Sequence, residues 1–296
     1  MRETQSDRDL DSTALLKSFP DPIDRVFAVL NRSVNLDVLG ILSTSLQSIQ
    51  AAKNPSEKRS LMERLPANEE FVLGFDTNAF FRLGLGSESA VSTLDYITGA
   101  HHGPVILPGQ VIQESWNNAH AIVTPTAKRV QSALTTLDKE ITKAGFLANS
   151  KSSNAWDEVN EYSQTVKQWI DPESHAQFIR TVSAISGKAS CKFVPRERFI
   201  ELARLRNDTK TPPGFEDPDN NHGDFFVWAD YLYGLASADL TNCTRVVFVT
   251  KDQKADWSTN EIPHPILTAE AQLLTGLPFE LCSLKEFQEF TVARAS

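Results

Sequence analysis

Residues 246–257 read VVFVTKDQKADW, in which a run of apolar residues ends at Thr250 and is followed by charged residues. A continuous apolar run is typical of a strand that is covered on both faces, as in a parallel sheet between layers of helices. Asp252 follows two residues after Thr250. Because aspartate also favours ordinary turns, this residue taken singly does not distinguish a turn from a functional site.

A second strand repeats the pattern. FVLGF at residues 71–75 is another continuous apolar run, and it leads directly into Asp76. In open α/β sheets, ligands bind in the crevice beyond the carboxyl ends of the strands. We therefore expect Asp76 and Asp252 to stand together at that edge of the sheet.

Predicted helices supply two more carboxylates. Glu114 lies in QVIQESWNNAH (110–120), just after the short strand PVILP (104–108), although a glutamate on a helix usually faces solvent. Asp224 begins a helix whose apolar residues recur at helical spacing. An N-cap would also explain Asp224, and the two roles are compatible because the helix dipole favours a carboxylate at that position.

Four carboxylates at one place would repel each other strongly unless they were neutralised. Oxygen ligands are those that a hard cation such as Mg²⁺ prefers. One or two such ions are a standard means of hydrolysing a phosphodiester bond. Trp228 and Trp257 lie close to the same segments, and we expect them to anchor the core, since Trp228 falls on the apolar face of its helix.

Composition limits the class of protein. The chain has 296 residues and a formal charge of −9, which argues against a protein that holds nucleic acid through global basicity. The three cysteines form no CxxC pair and fit a reduced compartment. Without a signal pattern or an apolar run of roughly 20 residues, the sequence predicts a cytoplasmic protein with no membrane partner.

The order of elements predicts an α/β fold with two helical additions. Residues 1–65 are expected to form a helical N-terminal extension, and residues 66–296 a single α/β domain. Within that domain, residues 126–190 are poor in Gly and Pro and show helical spacing. We expect this segment to be a helical insertion that adds no strand to the sheet.

Four segments together resemble the PIN-domain nuclease superfamily, and most closely a larger bacterial PIN-like branch. They are FDTNAFF (75–81), VIQESWNN (111–118), HGDFFVWADYL (222–232) and VVFVTKDQKADW (246–257). The DTN string is common by chance, whereas its combination with GDxxxW and VTxDxKxDW in this order is specific. The resemblance implies a three-layer α/β/α fold with a central parallel sheet of four to five strands.

The resemblance also implies the site and its chemistry. It assigns Asp76, Glu114, Asp224 and Asp252 to the catalytic metal site, which would take Mg²⁺ or Mn²⁺, and Asn78 and Thr250 to polar positions that orient the carboxylates. Asp256 matches as well, either as a fifth acidic site residue or as a helix cap or support for the site, and we favour the supporting role. The implied activity is an endonuclease that acts on RNA more readily than on DNA, as a bacterial toxin, a defence effector or a housekeeping enzyme.

Cations near the site are candidate contacts for substrate phosphates. They are Lys251, which replaces an acidic residue common in the branch, together with Lys254, Arg204 and Arg206. For the arginines, a charged face exposed to solvent is an equally good interpretation. The alternative function is a catalytically inactive PIN-like scaffold whose helical extension or insertion recruits a protein partner, and the complete set of four carboxylates argues against it.

Overall fold

The computed structural model describes residues 19–34, 60–65, 69–84, 88–122, 132–137, 139–140, 172–216, 221–251, 254–259 and 262–295. Asp252 and much of the predicted insertion 126–190 therefore lie outside the described residues.

A parallel sheet of five strands forms the centre of the protein. Its strands are β1 (Glu70–Phe75), β2 (Val105–Pro108), β3 (Ser190–Lys192), β4 (Cys243–Thr250) and β7 (Phe279–Ser283), and their order across the sheet is β3-β2-β1-β4-β7. A separate antiparallel pair is made by β5 (Ser258–Thr259) and β6 (Ile262–Pro263). The predicted α/β class with a four- to five-stranded parallel sheet is confirmed.

The expectation that residues 126–190 add no strand to the sheet is wrong at the C-terminal end of that segment. Ser190 begins β3 and pairs with Ile106 of β2, so the segment 126–190 does contribute to the sheet. The strand has no apolar run because it lies at the edge of the sheet, where its residues are exposed or half-buried. Nothing in its hydrophobic pattern distinguishes it from a loop.

Helices cover both faces of the sheet. They are α1 (Pro22–Val34), α2 (Leu61–Arg64), α3 (Thr77–Leu83), α4 (Glu88–Asp95), α5 (Gly109–Ile122), α6 (Pro172–Ser186), α7 (Arg196–Asp208), α8 (Gly223–Ser237), α9 (Pro265–Thr275) and α10 (Leu284–Ala295), with a π-helical turn at Tyr96–Ala100. Residues 132–137 are also helical. Helices α1, α8 and α9 pack together, and α4 packs on α10 in the other layer. Within the described ranges, no helix has the length and apolar character needed to span a membrane.

Aromatic side chains join α8 to the carboxyl end of the sheet. The ring of Trp228 lies 6.1 Å from those of Phe248 and Trp257, and Trp257 stacks on Phe248 with an angle of 3° between the rings. Both tryptophans are buried, which confirms their predicted role in the core. The stack also fixes the segment after β4 against the start of α8, where the predicted site lies.

The described part of the N-terminal segment belongs to the same core. Val26 and Leu30 on α1 are fully buried in it. Arg25 donates a hydrogen bond of 2.9 Å from Nη2 to the carbonyl of Ala236 at the end of α8. Helix α1 therefore packs on the helical layer that carries Asp224.

A buried ion pair corrects one sequence-based assignment. Arg206 on α7 is 1% exposed, and its Nη1 lies 2.6 Å from Oε1 of Glu270 on α9, which is itself fully buried. The same guanidinium donates to the carbonyls of Leu30 and Pro212. Since these partners enclose it, Arg206 holds α1, α7 and α9 together, and its assignment to a substrate phosphate is wrong.

Asp256 ties the loop before α8 to the segment after β4. Its Oδ2 accepts hydrogen bonds from the backbone N–H groups of Gly214, at 2.7 Å, and Glu216, at 3.4 Å. Burial raises the pKa of this carboxyl above its ordinary value, and the charge of Asp224 acts in the same direction, against the two hydrogen bonds. The carboxyl therefore supports the loop that leads to Asp224.

Glu270→Gln should strongly destabilise the fold. The substitution leaves the Arg206 guanidinium buried without its opposite charge, for which a loss of about 3–5 kcal/mol in the free energy of unfolding is expected. The measurement is urea unfolding. Glu289→Gln is the control, because Glu289 lies on the surface at 3.9 Å from Lys285 and should change stability by less than about 1 kcal/mol. Equal, small effects of both substitutions would contradict the role given to this pair.

Asp256→Asn should remove a pH dependence of stability. Because the folded-state pKa of Asp256 is raised, the protonated carboxyl stabilises the fold below the unfolded pKa of 3.8, and this contribution is lost as pH rises through the folded-state pKa. The wild type should therefore lose stability relative to the variant as pH increases from about 4 to about 7. Urea unfolding of both proteins over this range tests it, and a constant or growing advantage of the wild type would refute it.

Candidate active site

Asp76 lies at the carboxyl end of β1 and is 5% exposed. Its Oδ1 accepts a hydrogen bond from the N–H of Ala79 at 2.5 Å, so it caps helix α3. Its Oδ2 accepts from the hydroxyl of Thr250 at the end of β4 and from the N–H of Lys251 at 3.1 Å. The neighbouring strand thus supplies the donors that fix this carboxylate.

Glu114 is oriented by two side chains. The hydroxyl of Thr77 donates to its Oε2 at 2.6 Å, and the amide Nε2 of Gln110, one turn earlier on α5, donates to its Oε1 at 2.8 Å. Because Thr77 follows Asp76 directly, the first of these bonds connects the carboxylates of β1 and α5. Glu114 therefore faces the edge of the sheet, and it does not point into solvent as an ordinary surface glutamate would.

Gly223 brings the same carboxylate to the start of α8. A Cβ atom placed on Gly223 would lie 2.7 Å from Oε1 of Glu114, so a larger residue would displace this carboxylate from its present position. This contact gives a physical reason for the glycine in the HGD segment. It also places Glu114 beside the residue that precedes Asp224.

Asp224 carries a positive partner. Its Oδ2 lies 2.9 Å from Nζ of Lys254 and accepts a hydrogen bond of 3.1 Å from the indole Nε1 of Trp257. The Trp257 ring is part of the core stack, whereas Lys254 is partly exposed. Asp224, at the start of α8, thus pairs with a lysine of the protein itself, and this is a residue that the sequence predicts to be a metal ligand.

A buried carboxylate supports Glu114 from behind. Asp230 on α8 is fully buried and accepts the N–H of Gln110 at 2.8 Å and both Nη atoms of Arg196 at 2.7 Å. Burial raises the pKa of Asp230, and the hydrogen bond and charge of Arg196 oppose that rise. Arg196 Nη2 also donates to Oε1 of Gln110 at 3.1 Å, which turns the amide nitrogen of Gln110 toward Glu114.

The other sequence-predicted residues are distributed as follows. Lys251 and Asn78 are exposed at this edge, and Arg204 is exposed on α7 with Glu201 as its ion-pair partner. Asp252 is outside the described residues. Thr77, Gln110 and Asp230 were not predicted from the sequence, and Arg196, which belongs to the same basic stretch as Arg204, is held by Asp230 and Gln110. Only the spacing of Gln110, four residues before Glu114 on a helix, could have indicated a contact in advance.

The carboxylate oxygens at this edge are ligands that suit a hard divalent ion that retains part of its water shell. Among the described residues, no three His, Cys, Asp or Glu side chains form a group that could hold a metal ion. Mg²⁺ is usually bound through one or two carboxylates plus substrate phosphates, and seldom in a cage made only of protein ligands. The all-oxygen set, and the ammonium of Lys254 on Asp224, fit a position that favours a cation.

Comparison with known families agrees with this geometry. A family model described as PIN like domain matches residues 72–267, a range that extends from β1 into α9 and includes Asp76, Glu114 and Asp224. Neither the curated proteins nor the solved structures gave a match. Members of this superfamily are generally nucleases that bind nucleic acids and typically use divalent metal ions. The chain belongs to the PIN-like domain family.

Proposed function

We propose that the protein is a divalent-metal-dependent endonuclease that hydrolyses phosphodiester bonds in RNA. The observation that carries the proposal is the connection of Asp76, Glu114 and the start of α8 through the Thr77 hydroxyl and Gly223 at the carboxyl edge of the sheet. That edge is where open α/β sheets bind their ligands. The preference for RNA over DNA rests on the wider superfamily, whose members act mainly on RNA.

Asp76, Glu114, Asp224 and Asp252 would hold the metal ion in this proposal. When bound, Mg²⁺ or Mn²⁺ supplies a Lewis acid that polarises a phosphoryl oxygen and lowers the pKa of water. The products are expected to carry 5′-phosphate and 3′-hydroxyl ends, as in the family.

The side chains of the protein prepare the site before substrate arrives. Thr250 and the N–H groups of Ala79 and Lys251 fix both oxygens of Asp76. Thr77 and Gln110 fix both oxygens of Glu114. Glu114 would orient the attacking water by accepting a hydrogen bond from it. Such preorganisation avoids reorientation of ligands during the reaction.

Two lysines are proposed to contact substrate phosphates. Lys254 neutralises Asp224 in the protein alone, and its partly exposed ammonium can turn to a phosphate when a divalent ion takes over that neutralisation. Lys251 is exposed directly after β4, and its N–H donates to Asp76. A cytoplasmic location and a role as toxin, defence effector or housekeeping nuclease stay predictions from the sequence, as does a protein partner.

The first test is cleavage of structured RNA, unstructured RNA and DNA in the presence of Mg²⁺, Mn²⁺ or EDTA. We expect cleavage of RNA with either ion and none in EDTA. A protein that binds RNA without cutting it under all of these conditions would be the inactive scaffold.

Asp76→Asn should abolish this cleavage and preserve the fold. The neutral amide is a poorer ligand for a divalent ion, but asparagine caps helices as well as aspartate does. Cleavage rates in Mn²⁺ should fall to background, while thermal melting in EDTA should still show a cooperatively folded protein, because the amide oxygen keeps the helix cap and only the bond from the N–H of Lys251 is lost. Asp239→Asn is the control, since Asp239 is exposed at the opposite edge of the sheet. Undiminished cleavage by Asp76→Asn would remove the basis of the proposal.

Thr77→Val should weaken the site without removing a carboxylate. The substitution keeps the shape of the side chain and loses the hydroxyl that donates to Glu114, and loss of such a supporting partner typically costs about 10–100-fold in metal affinity or activity. Initial rates as a function of Mn²⁺ concentration measure the effect. Thr77→Ser retains the hydroxyl and should remain close to the wild type, so equal behaviour of Val and Ser would contradict this role of Thr77.

A further inference from the structure

Lys254 places a positive charge on a carboxylate of the candidate active site. Its ammonium nitrogen Nζ lies 2.9 Å from Oδ2 of Asp224, and its side chain is 35% exposed. The pair lies at the start of α8, at the edge of the sheet where the metal ion is proposed to bind. A divalent ion that binds Asp224 therefore competes with a cation that the protein already holds there.

Asp224 accepts from a second donor, and the two donors differ in how firmly they are held. The indole Nε1 of Trp257 donates to the same Oδ2 at 3.1 Å, and the Trp257 ring is buried and stacked on Phe248. A lysine ammonium, in contrast, stands at the end of a flexible four-carbon stem. The ammonium can therefore leave Asp224 while the indole keeps the carboxylate oriented.

The backbone of Lys254 is anchored independently of its ammonium. Its carbonyl accepts hydrogen bonds from the N–H groups of Trp257 and Ser258, each at 3.1 Å. Trp257 belongs to the core stack, and Ser258 begins β5. A change in the position of the ammonium is therefore a rotation of the side chain and requires no rearrangement of the segment that carries it.

Glu114 differs from Asp224 in the charge of the groups that orient it. The Thr77 hydroxyl and the Gln110 amide donate to its two oxygens, and both groups are neutral. A divalent ion can bind beside these donors without removing a positive charge. Of these two carboxylates, Asp224 is thus the one at which metal binding is an exchange of one cation for another.

We propose that Lys254 makes the binding of the divalent ion and the binding of a substrate phosphate depend on each other. In the protein alone, the ion has to displace the ammonium from Asp224, and the loss of this ion pair lowers the affinity for the ion. A bound phosphate takes up the same ammonium, so the loss no longer accompanies metal binding. By linkage, the ion raises the affinity for the phosphate by the same factor. The inference rests on the proposed nuclease function and adds to it that the site binds its ion more tightly when an RNA phosphate is present.

The test is Mn²⁺ binding to the full chain, measured by isothermal titration calorimetry at constant ionic strength for the wild type and for Lys254→Met. Ribose 5-phosphate is the phosphate probe, because it contains no phosphodiester bond that could be cleaved. A titration without protein corrects for the Mn²⁺ that this sugar phosphate binds itself. Without the probe, Lys254→Met should bind Mn²⁺ about 1.5- to 5-fold more tightly than the wild type, the range expected for a partly exposed ion pair.

The effect of the probe distinguishes displacement of Lys254 from a general change in charge. With saturating ribose 5-phosphate, the wild type and Lys254→Met should bind Mn²⁺ equally tightly, because the ammonium of the wild type is then on the phosphate. Equal or weaker Mn²⁺ binding by Lys254→Met without the probe would overturn the proposal. A gain in affinity that is the same with and without the probe would reflect only the loss of a positive charge, and it would overturn the proposal as well.

Two further variants complete the experiment. Lys285→Met is the control, because Lys285 lies on α10 in the other helical layer at 3.9 Å from Glu289, and its Mn²⁺ affinity should equal that of the wild type. Lys254→Gln keeps a polar end on the side chain and should behave like Lys254→Met. Thermal melting in EDTA checks that each variant is folded, and opposite behaviour of the two folded Lys254 variants would contradict the proposal.

The outcomes separate this inference from the nuclease assignment. RNA cleavage without any dependence of Mn²⁺ affinity on Lys254 would overturn the role of Lys254 and leave the nuclease function. The predicted dependence in a protein that never cuts RNA would leave the role of Lys254 and overturn the nuclease function. A wild type that binds no Mn²⁺, with or without the probe, would overturn both.

Discussion

The structure depends on how like charges are held together at one edge of a sheet. Asp76, Glu114 and the start of α8 meet where β1 and β4 end, and each carboxylate is matched by donors from a different element. Those donors orient the carboxylates at an edge where no three described His, Cys, Asp or Glu side chains form a metal-holding group by themselves. The strands and helices around the site are arranged so that at least one hydroxyl, amide or ammonium group donates to each of the three carboxylates.

Residues of the core serve this arrangement directly. Trp257 packs between Phe248 and Trp228 and also donates its indole N–H to Asp224, so the same side chain anchors the core and orients a site carboxylate. Asp230 acts in a similar way from inside α8, because it fixes Gln110 and Arg196, which in turn fix Glu114. Packing and site geometry therefore cannot be altered independently in this region.

The sequence predicts those parts of the fold that are dictated by local pattern. The apolar runs that form β1 and β4 must be covered on both faces, which sets the class of fold and brings Asp76 and Thr250 to one edge. The family motifs predict the carboxylates. By contrast, β3 has no apolar run. It pairs with the edge of β2 that β1 does not occupy, and no local pattern in the sequence marks this pairing.

Contacts between distant segments are what the sequence could not reveal. Arg206 has the pattern of a surface cation in a basic helix, but Glu270, 64 residues later, is buried against it and holds it inside. Thr77 lies between the motif residues Asp76 and Asn78, and the motif assigns it no role of its own. Its hydrogen-bond partner Glu114 lies 37 positions later in the chain. Partners of this kind depend on how the layers pack, and no spacing rule along the chain specifies them.

The most direct test of the account is the position of a divalent ion in the folded protein. Crystals soaked in Mn²⁺ and measured for anomalous scattering should give a peak at the carboxyl edge of the sheet, at about 2.1 Å from oxygens of Asp76 and of at least one of Glu114, Asp224 and Asp252. The Lys254 ammonium should then have moved away from Asp224. A peak elsewhere, or none at saturating Mn²⁺ with Lys254 still on Asp224, would contradict the claim that these carboxylates form a metal-dependent active site.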